Sequence, residues 1–349
     1  MTSDPVTSAV ALDHYAALEV HPRARHSVIR AAYRVLAKEY APDNASTGNA
    51  DAFRRITAAH DVLADADRRA VYDGDRGKLE GKIVGERWRV LSRIAEGAIG
   101  KTYKGEHVLT RKPICIKFCA ELDPQFGEIM LHEAEVMWDL HHYALPAIRD
   151  VFLHEEIVTL VMSYAPGLTI AQQVERYGRL PAIHVAWITD RILNALVYLH
   201  DEEVVHGDLK PQNVILSKPK KHVLTLVDFG LAMAKPRRDS ENLGYTDYFS
   251  APEQVAMRGP LVPASDFYAL GMTMLYMLGG ERGLLAKQVP EETPDPMSRF
   301  IQKIIVRDPL ARRFRTQELC DEFQDVRVRS FGKPRTSLEP LPGAERAGT

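Results

Sequence analysis

Cysteine is scarce in this chain. Three thiols in 349 residues, Cys115, Cys119 and Cys320, are too few for a disulfide framework. Free thiols in a reducing compartment, the cytoplasm, are the expectation. Cys115 and Cys119 are evenly spaced in one apolar run, so both face the same side of a strand. A metal there would need ligands from elsewhere. Long apolar runs are also missing: none approaches the ~20 residues that cross a bilayer, and no membrane association is expected. The polar first residues, with Asp4 and Pro5, do not read as a signal peptide. Charge of one sign is lacking too. Lys and Arg number 45 against 47 Asp and Glu, for a net charge of −2, so nothing draws the chain globally towards nucleic acid. What remains is ordinary globular composition, 45% hydrophobic and 26% charged, at a length that fits two or three domains.

The stretch His206-Gly207-Asp208-Leu209-Lys210-Pro211-Gln212-Asn213 organises the chain. After it come Val214-Ile215-Leu216, a polar stretch at 217–222, the run 223–227 and then Asp228-Phe229-Gly230, a pattern of strand, turn and strand. Asp208 and Asn213 on one loop, with Asp228 beyond the next strand, can converge on one pocket. Oxygen ligands of that kind suit Mg²⁺, which takes carboxylates together with substrate phosphates. Upstream, Ala95-Glu96-Gly97-Ala98-Ile99-Gly100 reads as a Gly-containing hairpin, followed by the strand Ile114-Cys115-Ile116-Lys117-Phe118. Glycine lets backbone approach a phosphate closely, and lysine supplies a point charge for it. A helix is expected over 128–140, strands over 147–153 and 157–162, and a long helix over 180–200 whose apolar face (Trp187, Ile188, Ile192, Leu196) is core.

These motifs resemble those of protein kinases. The resemblance covers about 245 residues: the glycine-rich loop, Lys117, Glu133 on the helix (Glu135 is its nearby rival), the hinge around Ser163 and Ala165, Asp208 to Asn213, Asp228-Phe229-Gly230 and Ala251-Pro252-Glu253. It departs at Ala95 for the first glycine, Thr102 for a valine, Cys115 for an alanine, and Gly207 for the arginine before the catalytic aspartate. The resemblance implies ATP and Mg²⁺. It implies catalytic roles for Asp208, Lys210 and Asn213, and Mg²⁺ ligation by Asn213 and Asp228. It implies ATP contacts from Gly97, Gly100, Thr102, Cys115 and Lys117 in the small lobe. Glu133 would pair with Lys117, Ser163 and Ala165 would present hinge backbone to adenine, and Ile215 and Asp228 would complete the pocket. His206 is expected to pack beneath Phe229. Lys210 and Thr246 fit the serine/threonine type, Asp266 a brace for the catalytic loop, and Arg312 a partner for Glu253. Between 279 and 296 a substrate-docking helix looks abbreviated.

At the N-terminus, Ser27 can cap a helix over 27–40 with Ile29, Tyr33, Leu36 and Tyr40 on one face and Arg30, Arg34 and Lys38 on another. Ala41-Pro42-Asp43-Asn44 ends it, and a second helix follows over 51–64, with Phe53, Ile56, Ala59 and Leu63 inward. Together with Asp13-His14-Tyr15, Leu18-Glu19-Val20 and the Arg69 to Tyr72-Asp73 ending, this resembles a J-domain, the module by which DnaJ-type cochaperones stimulate a DnaK-class ATPase. The departure is Ala41, where the family has the histidine of His-Pro-Asp; alanine has no side-chain hydrogen bond to offer.

The expected fold is α+β, a small all-α J-domain-like module at 9–75 followed by a bilobal kinase-like domain. A linker is expected at 76–85, the kinase domain at 86–330 with its small lobe at 86–162 and large lobe at 167–330, and a disordered tail at 331–349. Three functions stay open: a serine/threonine kinase acting on protein substrates, a pseudokinase scaffold, and a DnaJ-type cochaperone. A chaperone or other protein partner would be met through 9–75.

Overall fold

The computed structural model describes residues 13–22, 24–42, 44, 46–76, 78–97, 99–119, 124–217, 223–332 and 341–342, with backbone alone at 71, 74–76 and 124. The chain divides into two units, Met1–Leu79 and Glu80–Thr349.

The first unit holds four helices: α1 (His14–Ala17), α2 (His26–Tyr40), α3 (Ala50–Leu63) and α4 (Ala66–Arg76). The Asp13 carboxylate caps α1 by accepting from the Tyr15 and Ala16 N–H groups, and the Asn49 side chain caps α3 in the same way at Asp51 and Ala52. Ser27 does not cap α2, which begins one residue earlier with Arg25 at the cap position and no side-chain bond. The apolar stripes meet as read from sequence: Ile29 and Leu36 face Ile56, Ala59 and Leu63 in one core with Tyr15 and Leu18, and Tyr33, Tyr40 and Phe53 pack against it. Arg30, Arg34 and Lys38 stay exposed. The ends of the unit are stitched by side chains. Arg69 donates to the Tyr15 hydroxyl (2.8 Å) and to the Pro22 and Ala24 carbonyls, while the Tyr15 hydroxyl donates to Asp73 (2.7 Å). In the 41–49 connection Asn44 donates to the Lys38 and Glu39 carbonyls and accepts from Ser46 and Thr47. Asp43 lies outside the described residues, as do residues 9–12 of the expected module.

In the second unit, β1 (Ile83–Val84), β2 (Trp88–Glu96), β3 (Gly100–His107), β4 (Pro113–Cys119), β5 (Ile148–His154) and β6 (Ile157–Ser163) form an antiparallel sheet in the order β1-β2-β3-β4-β6-β5. Helix α5 (Pro124–Met137) packs on it through Met130 and Ala134, which share a buried cluster with Cys119, Leu160 and Met162. Part of the expected linker is therefore strand. Ile83 and Val84 pair with Arg89 and Trp88, and the Gly81 N–H donates to the Val90 carbonyl. Glycines and charges concealed this strand, because its pairing runs through backbone.

The large lobe adds β7 (Leu168–Thr169), α6 (Ile170–Tyr177), α7 (Ala182–Asp201), β8 (Val204–Val205), β9 (Val214–Ser217), β10 (Val223–Leu226), β11 (Met233–Ala234), α8 (Pro252–Val255), α9 (Pro263–Ala286), α10 (Asp295–Ile304) and α11 (Thr316–Phe331). A capping box, Thr169 with Gln172, starts α6. One continuous core runs from Trp187, Ile188 and Leu196 on α7 to Phe267 and Leu270 on α9 and Phe323 on α11. Helix α9 kinks at Gly280 (φ 66°), so the helical stretch after the kink is short, in keeping with the abbreviated region read between 279 and 296. Four residues of the expected disordered tail are described: Phe331 ends α11, Gly332 follows it, and Leu341 and Pro342 lie further on. Leu341 is 2% exposed within the large-lobe core, and the Pro342 carbonyl accepts from Gln173 at 2.7 Å. The rest of that tail beyond Gly332 lies outside the described residues. No described helix is long and apolar enough to cross a membrane.

Candidate active site

The loop joining β8 to β9 is built from below. Asp266, on α9 and fully buried, accepts from the backbone N–H groups of His206 and Gly207, both at 2.9 Å, and contacts His200 at 3.0 Å. Burial pushes the Asp266 carboxyl up, but the His200 hydrogen bond, the His200 and His206 charges and the Gly207 N–H outweigh it and hold it below the usual carboxylate range. His206 lies against Phe229, ring centroids 4.6 Å apart, as expected. Gly207 has φ +73°, a left-handed backbone that glycine adopts freely.

That frame presents Asp208. Its carboxylate is 2.7 Å from the Lys210 ammonium, accepts from the Asn213 amide at 2.8 Å and accepts from the Thr246 hydroxyl at 2.6 Å. Lys210 also reaches the Thr246 hydroxyl at 3.0 Å. The Asn213 amide nitrogen additionally donates to the Asp208 carbonyl, while the Asn213 backbone carbonyl accepts from the N–H of Val227, the residue before Asp228. The antiparallel register of β9 and β10, Val214 opposite Leu226, enforces that closeness. Ile215 is half-buried in β9 between Thr169 and Thr225.

The second group forms above. Lys117 on β4 is 2.6 Å from Glu133 on α5 and 3.1 Å from Asp228. Glu133 is 1% exposed and also accepts from the Phe229 N–H at 3.3 Å, whereas Glu135 is exposed. Burial alone would pull the Lys117 ammonium down; the two carboxylates outweigh it and hold its pKa above the ordinary lysine range. The Asp228 carboxyl is likewise pushed up by burial but held net low, first by Lys117 and then by Lys210 and His206. Asp228 carries φ +67°, uncommon for a residue with a Cβ. This strained backbone turns its carboxylate to Lys117 while Phe229 enters the core.

Around these groups the Gly97 N–H bonds the Gly100 carbonyl at 2.9 Å, closing the β2–β3 hairpin. A Cβ on Gly100 would strike the Phe118 carbonyl, while one on Gly97 would meet open space. Thr102 lies opposite Lys117 in the β3–β4 register. Cys115 lies opposite Met162, and burial pushes its thiol up to about 12. Ser163 ends β6 with its hydroxyl accepting from the Ala147 N–H, and Ala165 follows, half-buried. The structure thus gathers the sequence-read residues into an upper trio and a lower cluster, with hairpin and hinge at the sides. Two participants had no sequence signal: His132, 2.8 Å from the Ala232 carbonyl, and Gln254.

A five-stranded-or-larger curled sheet with one helix, over a helical lobe carrying such a loop, defines the bilobal kinase class. The profile described as "Protein kinase domain" matches residues 88–324, and the chain belongs to that family. The profile described as "DnaJ domain" matches residues 13–73. Similar proteins include "Serine/threonine-protein kinase 36" of Pongo abelii, 29% identical over 245 residues, 65% of this chain and 18% of that one. Others are "Serine/threonine-protein kinase PrkC" of Bacillus subtilis (27% over 243 residues, 68% and 36%) and "Serine/threonine-protein kinase B" of Synechocystis (30% over 217 residues, 56% and 37%). The matches span between about a fifth and two fifths of these relatives' own length.

Proposed function

We propose that the chain transfers the γ-phosphoryl group of ATP to serine or threonine hydroxyls of protein substrates. The observation that carries this is the Lys117 ammonium held at once by Glu133 and Asp228, above a loop where Asp208, Lys210 and Asn213 are already bonded to one another. Phosphoryl transfer asks for positioning and charge neutralisation more than for covalent help. Asp208 would accept or orient the hydroxyl proton, and Lys210 would balance charge on the transferring group. Lys117 would hold the nucleotide phosphates. The Gly97–Gly100 hairpin, with Thr102 and Cys115 behind it, would cover the nucleotide, with adenine against Ile215 and the backbone of Ser163 and Ala165.

The donors also fit a magnesium ion. The Asn213 amide nitrogen is engaged by Asp208, which leaves its carbonyl oxygen to serve as one ligand, and the Asp228 carboxylate, its side chain 40% exposed, would be the other. When bound, the ion would neutralise phosphate charge. The test is incorporation of labelled phosphate from ATP and Mg²⁺ into the chain itself or into generic protein substrates. Incorporation by wild type lost in Asp208→Asn supports the reading; none by wild type favours a scaffold.

Gly207 leaves no arginine to be neutralised by an activation-segment phosphate. Phosphate-free protein, checked by mass at Ser240, Tyr245, Thr246 and Ser250, is therefore expected to be fully active; strict dependence on one of these sites would overturn that. Residues 13–73 serve as an interaction module and not as an ATPase stimulator, because Ala41 offers no side-chain hydrogen bond. Wild type is expected to leave the ATPase rate of a DnaK-class protein unchanged, and measurable stimulation would reverse this assignment. Three thiols with no disulfide drawn between them support a cytoplasmic site of action.

A further inference from the structure

We infer that Gln254 is a positioning residue that clamps the activation segment to the catalytic loop by neutral hydrogen bonds. The inference rests on the kinase reading of the site and deepens it. Gln254 sits on α8, directly after Glu253, and is 2% exposed. Its amide nitrogen donates to two backbone carbonyls, Gly207 at 2.7 Å and Gly244 at 3.0 Å. Both N–H bonds are thus engaged, one by each segment. The Gln254 backbone carbonyl accepts in turn from the buried Asn242 amide at 3.4 Å.

The consequence follows from what flanks each acceptor. Gly207 is the residue before Asp208, and the peptide groups on either side of its Cα are both held, its N–H by Asp266 and its carbonyl by Gln254. Gly244 is two residues before Thr246, whose hydroxyl bonds Asp208 and Lys210. One amide therefore sets the spacing between the catalytic loop and the segment that delivers Thr246 to it. An Arg–phosphate tether would do this with charges that appear only on modification. The Gln254 amide does it with a group that is always present, at a glycine that has no side chain to tether.

The test compares phosphatase-treated full-length wild type with Gln254→Met, similar in length but unable to donate. Leaving two buried carbonyls without their donor loosens the segment. The expected result is a ~10-fold or greater loss in kcat/KM for a protein substrate, with KM for ATP unchanged. Amide exchange across 242–250 is expected to quicken by a similar factor while β2–β4 keep wild-type protection. Unchanged exchange across 242–250 would overturn the inference. So would a loss of ATP binding in proportion to transfer, the signature of a general structural role. If Gln254→Met does not accumulate, Gln254→Leu takes its place, since its side chain also cannot donate. Amide exchange reads the clamp even in a protein that transfers no phosphate, so failure of the clamp and failure of the kinase reading are told apart.

Discussion

Asp208→Asn is expected to lower kcat by about 10²–10⁴-fold while leaving the protein folded and its affinity for ATP unchanged. The substitution keeps size and planarity. It removes the carboxylate that now receives three donors: the Lys210 ammonium, the Asn213 amide and the Thr246 hydroxyl. An asparagine there keeps one acceptor oxygen and turns an NH₂ towards groups that are themselves donors. The substrate hydroxyl then has no base to orient it, and Lys210 loses its charged partner and keeps the Thr246 hydroxyl. The upper trio, Lys117 with Glu133 and Asp228, is untouched, which is why nucleotide affinity should hold. Steady-state kinetics with nucleotide titration separates the two quantities. A loss smaller than about tenfold would remove Asp208 from the chemistry, since a positioned base contributes more than that.

The sequence showed the site more clearly than it showed the fold around it. Asp208, Lys210, Asn213 and Asp228 were legible because phosphoryl transfer needs those side-chain types at loop positions set by short strands, and the register of β9 against β10 brings them together. Glu133 was separable from Glu135 only through the whole pattern; in the structure burial separates them. Helices α1 and α4 and strand β1 were not read. The first is a single capped turn, the second is too polar to show a stripe, and the third lies in a Gly-rich, charged stretch. Gln254 was invisible for a related reason. Its partners are main-chain carbonyls, and a carbonyl leaves no trace in the residue type that carries it. Arg69 was read as part of the closing motif, but its bonds to the Pro22 and Ala24 carbonyls were hidden for the same reason.

Arg312→Met is expected to destabilise the kinase unit by about 3–5 kcal/mol, a fall in Tm of roughly 6–20 °C. Arg312 is fully buried, the largest such side chain among the described residues. Its guanidinium bonds Glu253 at 2.6 Å, donates to the Ala264 carbonyl and lies 5.1 Å from the Tyr268 ring centroid. Methionine fills much of the volume, so the loss comes chiefly from Glu253, a half-buried carboxylate whose remaining side-chain partner among the described residues is the Ser265 hydroxyl at 3.1 Å. The double variant Arg312→Met, Glu253→Gln removes that charge and is expected to recover a substantial part of the loss, a coupling that a double-mutant cycle measures. Equal Tm values for the single and double variants would show that packing, not the stranded charge, set the cost. Because Glu253 anchors α8, and α8 carries Gln254, the same loss should loosen the activation segment before the unit unfolds. Faster amide exchange at 242–250 in Arg312→Met, below its Tm, would join the Arg312–Glu253 ion pair to the clamp on Gly207.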